Sequence, residues 1–373
     1  MVAPPRPFGP LTGRPAGKGG QGRGRPSGSH RKSKRPGRFD FRYRPALQGT
    51  MNSLRLPASA LALVLLFAAA HGPAFAEPIE VDARPVPLNE EVPEQTTVGA
   101  LRYRGGLSLT SPDPRFGGLS ALAVAVDGQQ FLALSDRGFR FTARLVYDER
   151  GDLAGVRGAE LATISGLDGR PLSGVREADA ESLAPGAEGE IIVAFERWHR
   201  LWRYFPGVAV PEPLPPPIEL EKAPRNGGIE ALTMLDDASL LALTEKYGAG
   251  DAVVGWISDE EGWSVLTYAT RDGFSPTGAA TLPGGDVVVV ERRFTLRGGV
   301  AVRLVRIDSA TIRPGARLEG RVLAEIRPPL TVDNFEGVDA RRGPGGKTLI
   351  YVVSDDNYNP AQRTLLLMFE LRE

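Results

Sequence analysis

Across its 373 residues the chain holds 45 basic and 45 acidic side chains and no cysteine, which excludes disulfides and thiolate metal sites. The balance is uneven: residues 1–50 carry twelve Lys/Arg against Asp40 alone, whereas the chain from Glu77 onward carries 32 basic and 44 acidic groups, a net of −12. An acidic body with no basic stripe argues against a nucleic-acid partner.

Taken in order, residues 1–50 are rich in Gly and Pro and bury too little apolar surface to offset their ordering entropy, so disorder is expected. "MNSLRLPASALALVLLFAAAHGPAFAEPIE" follows. Met51 opens it, Arg55 makes a basic start, Leu61 to Ala70 form an apolar run, and Ala74-Phe75-Ala76 is a small-x-small cleavage site. Residues 51–76 therefore read as a secretory signal peptide, too short for a spanning helix. The expectation is that Met51 is the native start, that residues 1–50 come from upstream misreading of the gene, and that the mature chain is periplasmic or secreted. No later apolar run is long enough to cross a bilayer, and no linker interrupts residues 77–373, which are read as one soluble, monomeric domain.

That domain shows no convincing amphipathic helix. Short runs of Val, Leu, Ile and aromatic residues alternate with Gly, Pro and Asp-Gly turns, an all-β pattern. Five stretches repeat: "GGLSALAVAVDGQQFLALSDRG" (117–138), "DAESLAPGAEGEIIVAFERWHR" (179–200), "GGIEALTMLDDASLLALTEKYG" (227–248), "FSPTGAATLPGGDVVVVERRF" (274–294) and "NFEGVDARRGPGGKTLIYVVSDDN" (334–357). Each is a short strand, a turn, and an apolar strand ending in an acid. Their equivalent positions Ser120, Glu181, Glu230, Thr277 and Glu336 lie 61, 49, 47 and 59 residues apart, a spacing suited to four-stranded β-propeller blades. "FTARLVYDE", "RLWRYF", "DAVVGWISDE" and "VAVRLVRID" supply third strands, and "WSVLTYAT" a fourth. After the fifth unit only "RTLLLMFEL" remains, so the N-terminal strand "ALRYRGGLSL" (100–109) is expected to complete that blade and close the ring. The count is five blades. Six is the alternative, since a degenerate blade would escape it.

In an antiparallel pair, the residue opening the first strand and the residue closing the second belong at one face of the disc. The expected pairs are Ser120 with Asp136, Glu181 with Glu196, Glu230 with Glu245, Thr277 with Glu291, and Glu336 with Asp355. Two carboxylates ~5 Å apart repel by ~3 kcal/mol at an effective dielectric near 20, so such a ring needs protons, cations or basic neighbours. Arg137, Arg197, Lys246 and Arg292 follow the strand-ending acids. In the fifth unit Asp356 and Asn357 stand there instead, making that sector the most anionic. Oxygen donors with almost no histidine suit Ca²⁺, the expected cofactor, or Mg²⁺. The ordinary alternative is that these acids solvate turns.

The expected assignment makes Asp136, Glu196, Glu245, Glu291, Glu336, Asp355, Asp356 and Asn357 metal ligands. Glu181, Glu230, Arg137 and Arg197 are the catalytic candidates. Lys246, Arg292 and Arg363 bind the anionic substrate, with simple ion pairing to the ring as the alternative. His199 is the one histidine after the signal, and it is expected to pack on Trp198 or Trp202 rather than act as a base. No nucleophile elbow, Walker loop or H-E-x-x-H appears, so hydrolysis requires metal-activated water.

"FGGLSALAV", "FLALSDRG", "RLVYDERGDLAGV", "DAESLA", "FERWHRLWRY", "NGGIEAL", "DNFEGVDA" and "SDDNYNPAQRTLLLMFEL" closely resemble the bacterial phytase-like family described by an esterase-like activity of phytase, over roughly residues 100–371. The resemblance implies a secreted or periplasmic propeller that hydrolyses small phosphoesters or carboxylesters. Alkaline propeller phytases hold calcium with carboxylates and phosphate with basic residues. The acids and bases here are compatible with that, but no stretch matches those motifs closely enough to carry ligands across. A non-catalytic ligand- or protein-binding propeller and a calcium-dependent lactonase-type enzyme are the alternatives.

Overall fold

A computed structural model describes residues 76–372. The expectations for the basic segment 1–50 and, Ala76 apart, for the leader 51–76 fall outside the described residues. The rest is almost wholly β, with a single four-residue helical turn at Val175–Ala178 and three short 3₁₀ turns. Among the described residues no helix is long and apolar enough to cross a membrane.

Five sheets, each built on antiparallel neighbours, follow one another along the chain; in the third, the edge also pairs in parallel with Arg317–Leu318. Blade 1 runs Leu119–Val124, Gln130–Ser135, Phe139–Tyr147 and Leu153–Thr163, from inside to outside. Blade 2 runs Ala180–Pro185, Ile191–Phe195, Arg200–Tyr204 and Glu212–Leu214. Blade 3 is Ile229–Met234, Leu240–Ala249, Ala252–Asp259 and Gly262–Ala269. Blade 4 is Ser275–Thr281, Val287–Thr295, Gly299–Ile307 and Arg321–Ile326. Blade 5 is Phe335–Arg342, Thr348–Ser354 and Thr364–Leu371, and Leu101–Thr110 pairs antiparallel with the last of these, Leu366 opposite Leu107. An early strand and the last strand of the described chain therefore lie side by side in one sheet. The first strands of neighbouring blades touch in an unbroken cycle, with blade 5 against blade 1. This is a five-bladed β-propeller.

The core explains the uninterrupted apolar runs. A strand buried on both faces needs no polar alternation, and successive side chains go to opposite faces. In "VVVV" at 287–290, Val287 and Val289 pack toward blade 3, whereas Val288 and Val290 pack toward blade 5. Leu365, Leu367 and Phe369 likewise face blade 4, and Leu366 and Met368 face blade 1. Each of the five apolar clusters fills the seam between two adjacent blades. Fully burying one such side chain is worth about 1.5–3 kcal/mol, so the seams hold the ring together.

The blade 5–blade 1 seam carries an additional clasp. Asp356 accepts hydrogen bonds from the Gly118 N–H (2.8 Å), the Tyr358 N–H (3.0 Å) and the Thr364 hydroxyl (2.8 Å). Gly118 has φ 61°, and a Cβ there would strike Asp136 and Tyr358. Asp356→Ala is expected to lower stability by about 3 kcal/mol, because charged hydrogen bonds are lost and a buried N–H is orphaned. Urea unfolding would check this, and a loss below about 1 kcal/mol would reduce the clasp to an incidental contact.

Candidate functional site

In every blade the residue expected to open the first strand is a β-bulge. Pairing skips Ser120 between Leu119 and Ala121, Glu181 between Ala180 and Ser182, and Glu230 between Ile229 and Ala231. It also skips Thr277 between Pro276 and Gly278, and Glu336 between Phe335 and Gly337. A bulge leaves one residue out of the ladder and re-aims its side chain. The expected side-by-side pairs are corrected accordingly. Asp136 bonds back to Gly118, Glu196 to Asp179, Glu245 to Gly228 and Asp355 to Asn334, each through its N–H and the partner's carbonyl.

Blade 4 carries the largest correction. Glu291 pairs with Pro276 and Arg292 with Ser275, so Arg292 occupies the place that acids hold in the other four blades. Glu291 faces away from the ring, buried and accepting a 2.7 Å hydrogen bond from the Tyr268 hydroxyl. Its charged neighbours are Arg303, Arg271 and Asp272, none of them in the ring. Arg292 instead lies 3.5 Å from Glu245 and 3.7 Å from Glu336.

The remaining acids converge. Glu181 is held well above the usual carboxylate range by burial and by the charges of Glu336, Asp179, Glu196 and Asp136. Glu230 is raised likewise by burial, with Glu245, Glu181, Glu336 and Glu196 around it. Burial beside Asp355 lifts Glu336 to about 8. Asp136 is pushed up to about 7 by burial and by Asp355 and Asp179, and Asp355 to about 6, chiefly by burial. These mutual influences tie blades 1, 2, 3 and 5 into one acidic mouth. Ser120 and Thr277 donate hydroxyls to the neighbouring blades at Ala180 O and Phe335 O, stitching the ring where no carboxylate stands.

Blade 2 forms the tightest knot. Asp179, Glu181 and Glu196 each present an oxygen within 4.8 Å of the others. One Glu196 oxygen is held by the Gly227 and Gly228 N–H groups, the latter at 2.5 Å. Arg197 ion-pairs with Asp179, and Lys246 with Glu245. Asp179 and Asn334 are new members. They stand two residues before the bulge glutamates in "DAE" and "NFE", and that shared spacing was the available signal. Asn334 donates its amide N–H groups to Glu336 (3.0 Å) and Asp355 (3.3 Å). Its Oδ1 and the Oδ1 of Asp136 are buried without a hydrogen-bond donor. Oxygen donors of this kind, with no sulfur and no facing donor, fit a hard divalent cation.

The other expected residues have partners of their own. Asp356 has both oxygens taken up by the clasp, and exposed Asn357 adopts φ 50° to close a turn onto Asp355 (2.6 Å). The Asp356 charge still reaches Asp136 and Asp355. Arg137 stacks on the Tyr358 ring, 3.3 Å from its centroid. Arg363 pairs with Glu90 at 2.9 Å and Asp333 at 3.8 Å, lining a separate cavity of about 240 Å³ with Pro328, Pro329 and Leu330. His199 lies against Gly228 and donates from Nε2 to the Pro224 carbonyl (3.0 Å).

The family model described as "Phytase-like: Esterase-like activity of phytase" matches residues 114–358. No curated protein matches the chain in sequence. Among solved structures, a provisionally assigned gluconolactonase is 13% identical with a TM-score of 0.35, covering 79% of this chain and 95% of its own. Virginiamycin B lyase from Staphylococcus aureus is 11% identical with a TM-score of 0.33, over 74% and 85% of the two chains. Aldose sugar dehydrogenase from Streptomyces coelicolor, in its PQQ-bound form, is 14% identical with a TM-score of 0.38, over 79% and 99%.

Proposed function

The chain belongs to the phytase-like family described by an esterase-like activity of phytase, and from that premise we propose that it is an exported hydrolase of small anionic esters, phosphoesters first, that works with a divalent cation at the propeller mouth. The observation that carries this reading is the cluster of Asp179, Glu181 and Glu196, three carboxylates with oxygens inside 4.8 Å. Calcium is the proposed ion, since every candidate donor is a hard oxygen. When bound, it would polarise the ester and acidify water, chemistry for which a chain with His199 as the single histidine after residue 76 offers few other groups.

The chain's own residues supply the rest. Asp179, Glu181 and Glu196 would hold the ion, with Arg197 orienting Asp179. Glu336, lifted to about 8 by burial beside Asp355, and Glu230, held well above the usual carboxylate range by burial and by Glu245, are the proposed acid–base groups. Arg292 and Lys246 would draw an anionic substrate toward the acids they already touch. The proposal includes a periplasmic or secreted monomer without nucleic-acid or membrane partners.

The test is hydrolysis of p-nitrophenyl phosphate, a carboxylester and a lactone by the purified protein, with added calcium and with chelator. Calcium-dependent turnover that chelator abolishes is expected. Absence of turnover under every condition would favour the binding-propeller alternative, in which the same mouth captures a ligand without transforming it.

A further inference from the structure

The turn that delivers Glu196 and Arg197 to the mouth also presents a large apolar side chain to water. Trp198 is 64% exposed, whereas Trp202 and Trp263 are partly covered and Trp256 is enclosed. An indole left in water is unfavourable, and it is also the side chain that gains most from being covered by a ring. The turn is rigidly built. Arg197 holds a left-handed conformation (φ 55°), a backbone state that non-glycine residues adopt only when their surroundings enforce it. Its N–H donates to the Arg225 carbonyl at 3.1 Å, and His199 anchors the far side on Pro224.

Beneath the turn, the Arg200 guanidinium lies 3.9 Å from the Phe195 ring centroid, 4.4 Å from that of Trp202 and 5.7 Å from that of Trp198. Its Nη1 donates to the Trp198 carbonyl at 2.9 Å. The backbone that carries the indole is therefore anchored on both sides, so little main-chain motion is lost when a ligand settles on it. Such pre-organisation is what makes an exposed aromatic effective in binding.

We propose that Trp198 is a stacking platform for the ester's alcohol portion, so that the favoured substrates carry an aromatic ring next to the anionic group. This rests on the reading of the mouth as the site that receives an anionic ester. The ring would lie on Trp198 while the anion reaches the acids and bases one and two residues away in the chain.

The test uses phenylphosphonate and methylphosphonate, whose carbon–phosphorus bonds are not hydrolysed, titrated calorimetrically with calcium into the full chain and into Trp198→Ala and Trp198→Gln. The wild type should bind the phenyl compound about tenfold more tightly than the methyl one, and both variants should bring the ratio to about one. Because the side chain is mostly exposed, both variants should melt as the wild type does. The proposal is overturned if the variants keep the wild-type ratio, if the wild type shows no preference, or if it binds neither compound. Absent ester turnover combined with a Trp198-dependent preference would remove the hydrolase reading and leave the platform standing.

Discussion

Glu181→Gln should abolish the calcium-induced rise in melting temperature and lower calcium-dependent turnover at least ~100-fold, the scale of losing a group that acts only with its partners. A ligand at 100 times its dissociation constant stabilises the native state by about 2.7 kcal/mol, so a lost ligating carboxylate is readable as a lost shift. Glutamine keeps the size of glutamate, and the protein without cation should gain slightly, because Glu181 is surrounded by Glu336, Asp179, Glu196 and Asp136. Glu291→Gln is the matched control. Its carboxylate lies outside the ring on Tyr268, so the calcium shift should stay as in the wild type. A full calcium shift in Glu181→Gln would exclude the blade 2 knot as the cation site. A lost shift in Glu291→Gln would overturn the register of blade 4.

The blades were legible because each seam is filled by alternating faces of one apolar run, and Gly and Asp mark the turns between runs. The site was legible only to within one residue. Five bulges displace the pairing, and a bulge leaves no mark in composition: Ser120 and Thr277 occupy it as readily as Glu181. In blade 4 the featureless "VVVVERR" let Glu291 pass for the strand-ending acid. The fifteen-residue step from Glu181 to Glu196, and from Glu230 to Glu245, leads from Thr277 to Arg292, and this spacing was the discriminating signal. The doublet Asp355-Asp356 divides for a related reason. The two neighbours face opposite ways, one toward Asn334 and the ring, the other across the seam to Gly118. Only a contact between residues 238 positions apart in the chain distinguishes them.

Arg292→Met should make the cation-free protein strongly pH-sensitive. Arg292 lies beside Glu245 and Glu336, and the charges of Glu230 and Asp355 also reach it. The wild type already has a sign. Asp355 titrates at about 6, Asp136 at about 7 and Glu336 at about 8, all above the unfolded values near 4. The folded state therefore binds more protons than the unfolded state between about pH 4 and pH 8, so in chelator stability is greatest at the acid end of that window and falls as pH rises. Calcium at pH 8 should restore it, because a cation binds the ionised form that protons no longer neutralise. Without the guanidinium, the acids around it must shed protons with no counter-charge. The variant should lose about 3–5 kcal/mol relative to wild type at pH 8 in chelator, the cost of breaking a buried pair from one side. At pH 5 Glu336 and Asp355 are largely protonated, so part of the attraction on the guanidinium is already gone and the loss should be clearly smaller than at pH 8. Denaturant unfolding of both proteins at the two pH values measures the difference directly. An equal loss at pH 5 and pH 8 would mean that Arg292 acts by packing alone, and that the carboxylates of blades 3 and 5 do not share one electrostatic field.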